Sequence, residues 1–168
     1  MNEKIISHIV KGAIISVLLI LINLTGQVTK WVYLSWFGWI EIILFLMGIL
    51  IATLYYGKQM NNQVTFGQLF THGFKTTAVV ICLVFVYTLL SLYVLFPAFV
   101  ENKMRPGLIQ AKLQGKTDLE IKQYLAIGKR VFLAGNLMLN LITGAAGSLL
   151  GSIIAKRSTD YNLSTINK

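Results

Sequence analysis

The chain has 168 residues, 55% of them hydrophobic and only 12% charged, with a mean hydropathy of +0.69. A soluble domain carries about 25% charged residues, so a water-exposed globular fold is excluded and an all-α integral membrane domain is expected. The formal net charge of +9 would suggest nucleic acid in a soluble protein. Here the basic residues sit at the ends of apolar runs and in one loop, where anionic lipid headgroups meet them, and no basic–aromatic surface follows a nucleic acid.

The first predicted span covers residues 8–25. Lys4 and Lys11 beside an apolar run imitate a signal peptide. Asn23-Leu24-Thr25-Gly26-Gln27, however, offers no small-x-small cleavage site, and the run reaches back through Ile5, Ile6, Ile9 and Val10. It therefore reads as a retained transmembrane helix. Lys11 is expected to lift its ammonium to the interface on its long stem. Trp31, Tyr33, Trp36 and Trp39 surround the first connection and mark one headgroup level.

The second span, 36–56, holds Glu41, the only acidic residue in any span. Tyr55, Tyr56, Gly57 and Lys58 mark its exit, and Asn61-Asn62 reads as a turn. Thr65 with Gln68 three positions on is a capping box, which starts a helix near Phe66. The first turns of that helix (Phe66, Leu69, Phe70, Phe74) are amphipathic and suit the interface, and His72 beside Gly73 reads as a loop or interfacial side chain rather than a pH sensor. The third span, 75–96, stops at Pro97.

Residues 98–130 form the one sizeable polar segment. Pro106-Gly107 reads as a break. Leu108, Ile109 and Leu113 predict a short amphipathic helix ending at Gly115. Thr117 to Glu120 is a second capping box, whose helix runs on into the last span. The segment suits a solvated helical cap or a surface helix on anionic lipid.

The fourth span, 131–155, organises the rest. At 100° per residue, Asn136, Asn140, Thr143, Gly144, Gly147, Gly151 and Ala155 fall within an arc of roughly 120°. Small residues let helices approach closely in lipid, and Asn or Thr can hydrogen-bond across the contact. Gly144, Gly147 and Gly151 are therefore expected to pack a neighbouring helix. The expected fold is a single bundle of four transmembrane helices over residues 1–157, with an amphipathic helical loop before the fourth span and a loose polar tail over 158–168.

Four spans place both termini on one side. The terminal side would carry Lys4, Lys11, Lys58, Lys75, Lys156, Arg157 and Lys168, against Lys30 and the basic residues of the long loop on the other. The positive-inside rule does not separate these sets. Taking the aromatic-rich first connection as the outer interface gives cytoplasmic termini and a multi-pass cell-membrane protein.

Catalytic patterns are missing from the sequence. Cys82 is the single cysteine, so it forms no internal disulfide, and with the distant His8 and His72 it makes no zinc ligand set. It reads as a small buried hydrophobe. No phosphate-binding Gly-rich loop, His-Glu-x-x-His, Gly-x-Ser-x-Gly or close carboxylate pair occurs. No enzyme activity, metal or cofactor is expected.

Several features together resemble a bacterial family labelled domain of unknown function 4199. They are the four spans, the Gly57-Lys58 exit, the Thr65-Phe66-Gly67-Gln68-Leu69-Phe70 segment with Gly73-Phe74, the Phe96-Pro97 step, and the Gly115-x-Thr117-Asp118 start of the last helix. The resemblance implies a cytoplasmic-membrane protein with no assigned activity and carries over no site residue.

Two functional readings follow from the residues. The first is a non-catalytic membrane module or accessory subunit, whose partners are lipids, a second copy or another membrane protein, and not nucleic acid. The second is a small ion- or proton-coupled transporter or channel using Glu41 and the polar stripe of Asn136, Asn140 and Thr143. An ionisable group in a span is costly and often lines an ion path, but Glu41 lies one turn from the aromatic belt, where it can reach interfacial water.

Overall fold

The computed structural model describes residues 6–61 and 63–166, with side chains through Lys156. Every regular element among them is helical: α1 (His8–Val28), α2 (Phe37–Gln59), α3 (Phe66–Leu90), α4 (Phe99–Leu113) and α5 (Asp118–Ile166). A 3₁₀ turn (Trp31–Tyr33) joins α1 to α2, and a π-helical turn (Ser91–Leu95) extends α3. Four stretches are long and apolar enough to cross a membrane: His8–Val28, Phe37–Gln59, Phe66–Leu95 and Asp118–Lys156. The expected architecture of four spans with a helical insertion before the last is present, and the insertion is a discrete fifth helix, α4.

Local chemistry sets the boundaries. Ser7 caps α1 by accepting a hydrogen bond from the Val10 amide. Lys30 closes the first connection in a left-handed conformation, φ 64°. In the first capping box, the Thr65 amide donates to Gln68 Oε1 at 2.8 Å and the Gln68 amide donates to Thr65 Oγ1 at 3.3 Å. Thr117 and Glu120 repeat the exchange before α5, at 2.7 Å and 3.4 Å. Of the expected Asn61-Asn62 turn, Asn61 has a positive φ of 51°, while Asn62 lies outside the described residues.

Proline acts differently at its two positions. Before Pro97, Phe96 is forced out of the α region (φ −135°, ψ 61°). Its amide donates five residues back to the Ser91 carbonyl at 2.7 Å, which makes the π-helical end of the span. Pro106, expected to break the chain, lies inside α4 instead. Proline deletes one intrahelical hydrogen bond, and α4 continues on the bonds to either side, such as Asn102 to Ala98 at 2.9 Å and Gln114 to Gln110 at 3.0 Å. The helix ends where expected. Gly115 takes φ 76°, its amide donates to Lys112 and the Lys116 amide donates to Ala111, a Schellman end.

The chain forms two compact units, residues 1–84 with 140–168 and residues 85–139. In the first, parts of α1, α2, α3 and α5 enclose a core of Phe45, Ile49 and Val80, with Ile15, Leu19, Ile81 and Val84 against it. A second cluster, Val64, Leu69 and Ala155, closes the end where α2 leaves and α3 begins. In the second unit, α4 packs on the start of α5. Phe99 meets Phe132 edge-on at 5.5 Å, and Met104 fills the space a side chain at Gly128 would take. The buried face of α4 is Phe99, Val100, Leu108 and Ala111, whereas Ile109 and Leu113 point outward. Beyond the apolar run α5 stays helical to Ile166, where a loose tail was expected.

Most of each span's apolar surface faces away from the protein. Ile9, Ile14, Leu21, Ile43, Leu83 and Ile142 are all exposed, as hydrocarbon requires. Cys82 is on this outward surface, not in the core. Lys11, in contrast, is drawn into the protein.

Candidate functional site

The residues singled out in α5 form a packing seam. Thr143, Gly144, Gly147, Ser148, Gly151, Ser152 and Ala155 are buried. A Cβ at Gly147 would stand 2.9 Å from the Leu46 carbonyl oxygen and 3.1 Å from Ile49 Cβ. One at Gly151 would stand 2.8 Å from Thr53 Cβ and 3.0 Å from the Leu50 carbonyl. At Gly144 it would collide with Thr77. The seam therefore holds α2 at backbone distance and meets α3 at the Thr77 side chain. On α3, Gly73 completes the junction, since a Cβ there would meet Thr53 Oγ1 at 2.5 Å and Ser148 Oγ at 2.8 Å.

Three of the hydroxyls buried around this seam bond within their own helices. Ser148 donates to the Gly144 carbonyl at 2.8 Å, Ser152 to Ser148 at 2.7 Å, and Thr53 to Ile49 at 2.9 Å. Thr77 Oγ1 is the buried exception and has no hydrogen-bond partner. Asn136 and Asn140 are half-buried, and each has an interaction partner. Glu41 is half-buried too, and accepts a hydrogen bond from Asn23 Nδ2 of α1 at 2.7 Å.

Sequence reasoning missed a basic cluster. Lys11 was expected to snorkel, but it is 7% exposed. Its ammonium donates to the Ala52 carbonyl at 3.4 Å and to Gln59 Oε1 at 3.2 Å, and lies 3.3 Å from His72 Nε2. The rings of Tyr55 and Tyr56 flank it at 5.1 Å and 5.5 Å. Three protons thus meet three acceptors. An ammonium has no lone pair, so His72 Nε2 accepts, and the proton of the neutral imidazole resides on Nδ1. Tyr56 locks that ring by stacking on it, with centroids 3.8 Å apart and planes 2° from parallel, while His8 stands edge-on at 6.0 Å. His72 lies within α3, not in a loop, and its side chain is buried in the protein.

Beside this cluster is a cavity of about 580 Å³ lined by His8, Tyr56, Gln68, Thr71, His72 and Lys75, among others. Among the described residues, none that lines it is acidic. Gln68, Thr71, His72 and Lys75 are spaced at the helical period and so share one face of α3. No group of three or more His, Cys, Asp or Glu capable of holding a metal ion occurs among the described residues.

A family model described as a protein of unknown function (DUF4199) matches residues 9–157. No curated protein and no solved structure matches the chain.

Proposed function

Since the chain belongs to the DUF4199 family of proteins of unknown function, its role must be read from its own residues, and we propose that it is a non-catalytic membrane module. It is embedded in the cell membrane with both termini on the cytoplasmic side. It works by binding lipids and by assembling with a second copy or with another membrane protein. The observation that carries this reading is the α5 seam. The space beside its glycines is taken by the Leu46 and Leu50 carbonyls, Ile49, Thr53 and Thr77, which supports a packing role for this part of the stripe. The hydroxyls of Thr53, Ser148 and Ser152 bond back into their own helices, as in a packing contact.

The alternative, a small ion- or proton-coupled transporter or channel, would run through Glu41, Asn136, Asn140 and Thr143. The hydrogen bond that Asn23 donates to Glu41 favours a positioned structural carboxylate over a mobile carrier. Reconstitution separates the two readings. Purified protein in liposomes with an internal pH dye and an imposed ion gradient is expected to show the leak of empty liposomes. A flux that Glu41→Gln abolishes would establish the transporter instead.

A further inference from the structure

The basic cavity at the start of α3 has a chemistry that the packing seam does not use. Two ammonium groups, Lys75 at its wall and Lys11 behind His72, place positive charge on it, and no carboxylate lines it among the described residues. Lys11 is buried, and its polar contacts to Ala52, Gln59 and His72 supply acceptors but no countercharge. A buried charge without a counter-ion is costly, and an anion next to His72 would offset it.

The donors converge as well. The contact with Lys11 occupies His72 Nε2 and leaves the Nδ1 proton as the ring's donor. His72 is 9% exposed and lines the cavity, and its Nδ1 makes no hydrogen bond among the described residues. Thr71 and Lys75 add a hydroxyl and an ammonium from the same helical face, and the His8 ring faces them from α1. Several donors around a desolvated positive centre suit a phosphate, whose oxygens accept many hydrogen bonds at once. Phe66, Phe70 and Phe74 form a stacked row on the opposite side of the same turns, with centroids 6.5 Å and 6.0 Å apart. Tyr55 and Tyr56, which flank Lys11 at the end of α2, are the amphipathic rings that favour headgroup depth.

We propose that this cavity is a binding site for an anionic phosphate group, carried by a phospholipid headgroup or present as free phosphate. Lys75, Thr71 and His72 Nδ1–H contact the phosphate, His8 closes over it, and Lys11 holds the His72 ring in its donor form. The site is independent of how the protein assembles.

The test uses full-length protein in neutral detergent, with native mass spectrometry after adding phosphatidylglycerol or phosphatidylcholine. Wild type should retain phosphatidylglycerol about tenfold better than phosphatidylcholine. Lys75→Gln and His8→Gln should each remove most of that preference, while Lys112→Gln, in the other unit, should keep it. Inorganic phosphate in excess separates the sources: displacement of the lipid identifies a general phosphate site, and retention identifies a lipid-headgroup site. Equal retention of the two lipids by wild type, or an unchanged preference in Lys75→Gln, would overturn the proposal. Hydrogen exchange on the unaltered protein gives a second readout. Phosphatidylglycerol should slow exchange over residues 65–75 and leave 99–113 unchanged, and no slowing over 65–75 would also overturn it.

Discussion

Replacing Gly147 by alanine should destabilise the protein, whereas the same change at Gly135, on the same helix, should not. At Gly147 the new methyl would stand 2.9 Å from the Leu46 carbonyl oxygen and 3.1 Å from Ile49 Cβ. The first neighbour is backbone and cannot rotate away. α5 must therefore withdraw from α2 by about half an ångström, which disturbs the close approach of the whole seam. Overpacking of this kind costs about 1–3 kcal/mol. Alanine recovers about 0.5–1 kcal/mol in helix propensity, so the net loss is up to about 2.5 kcal/mol. At Gly135 a Cβ meets nothing within 4 Å, and only the propensity gain remains. The propensity term cancels between the two variants and leaves the clash, about 1–3 kcal/mol, as their difference. Equilibrium unfolding in mixed micelles, followed by tryptophan fluorescence, measures it. Equal midpoints for the two variants would refute close packing at Gly147.

Three further outcomes follow from the same contacts. Thr77→Val removes a buried hydroxyl that has no partner and should stabilise by about 1 kcal/mol; a loss of stability in the same unfolding assay would mean that the hydroxyl is bonded. His72→Phe keeps an aromatic ring against Tyr56 but takes one acceptor from Lys11. It should lower stability by about 1–3 kcal/mol, read as a fall in melting temperature that His72→Gln partly restores. Asn23→Leu strips a donor from Glu41 and should cost about 1 kcal/mol after allowance for the half-exposed site. Glu41→Gln keeps an acceptor and should cost less, so the reverse order in thermal unfolding would contradict the assigned hydrogen bond.

Local features were legible in the sequence. The spans follow from run length, and both capping boxes and the Gly115 helix end follow from residue types at fixed offsets, because the interactions that set them join neighbours in the chain. The glycine stripe of α5 was legible as a packing face, but its partners on α2 and α3 were not. Ser148 and Ser152 escaped notice because on a helical wheel they lie outside the stripe, about 20° and about 60° beyond its edge, yet both are fully buried. Lys11 was misread for a physical reason. Its acceptors, Ala52, Gln59 and His72, come from α2 and α3, far along the chain. Without knowledge of those neighbours, a long flexible stem beside the membrane surface implies snorkelling. Pro106 shows the converse limit, since a strong local breaker was absorbed by an otherwise intact helix.

The most direct measurement is quantitative gentle-detergent purification of tagged protein from its native membrane, beside an untagged control. A membrane module predicts a reproducible partner, another membrane protein or a second copy, at fixed stoichiometry, and no ion flux from the purified material in liposomes. Recovery as a lone protomer that conducts ions by itself, with conduction lost in Glu41→Gln, would contradict it.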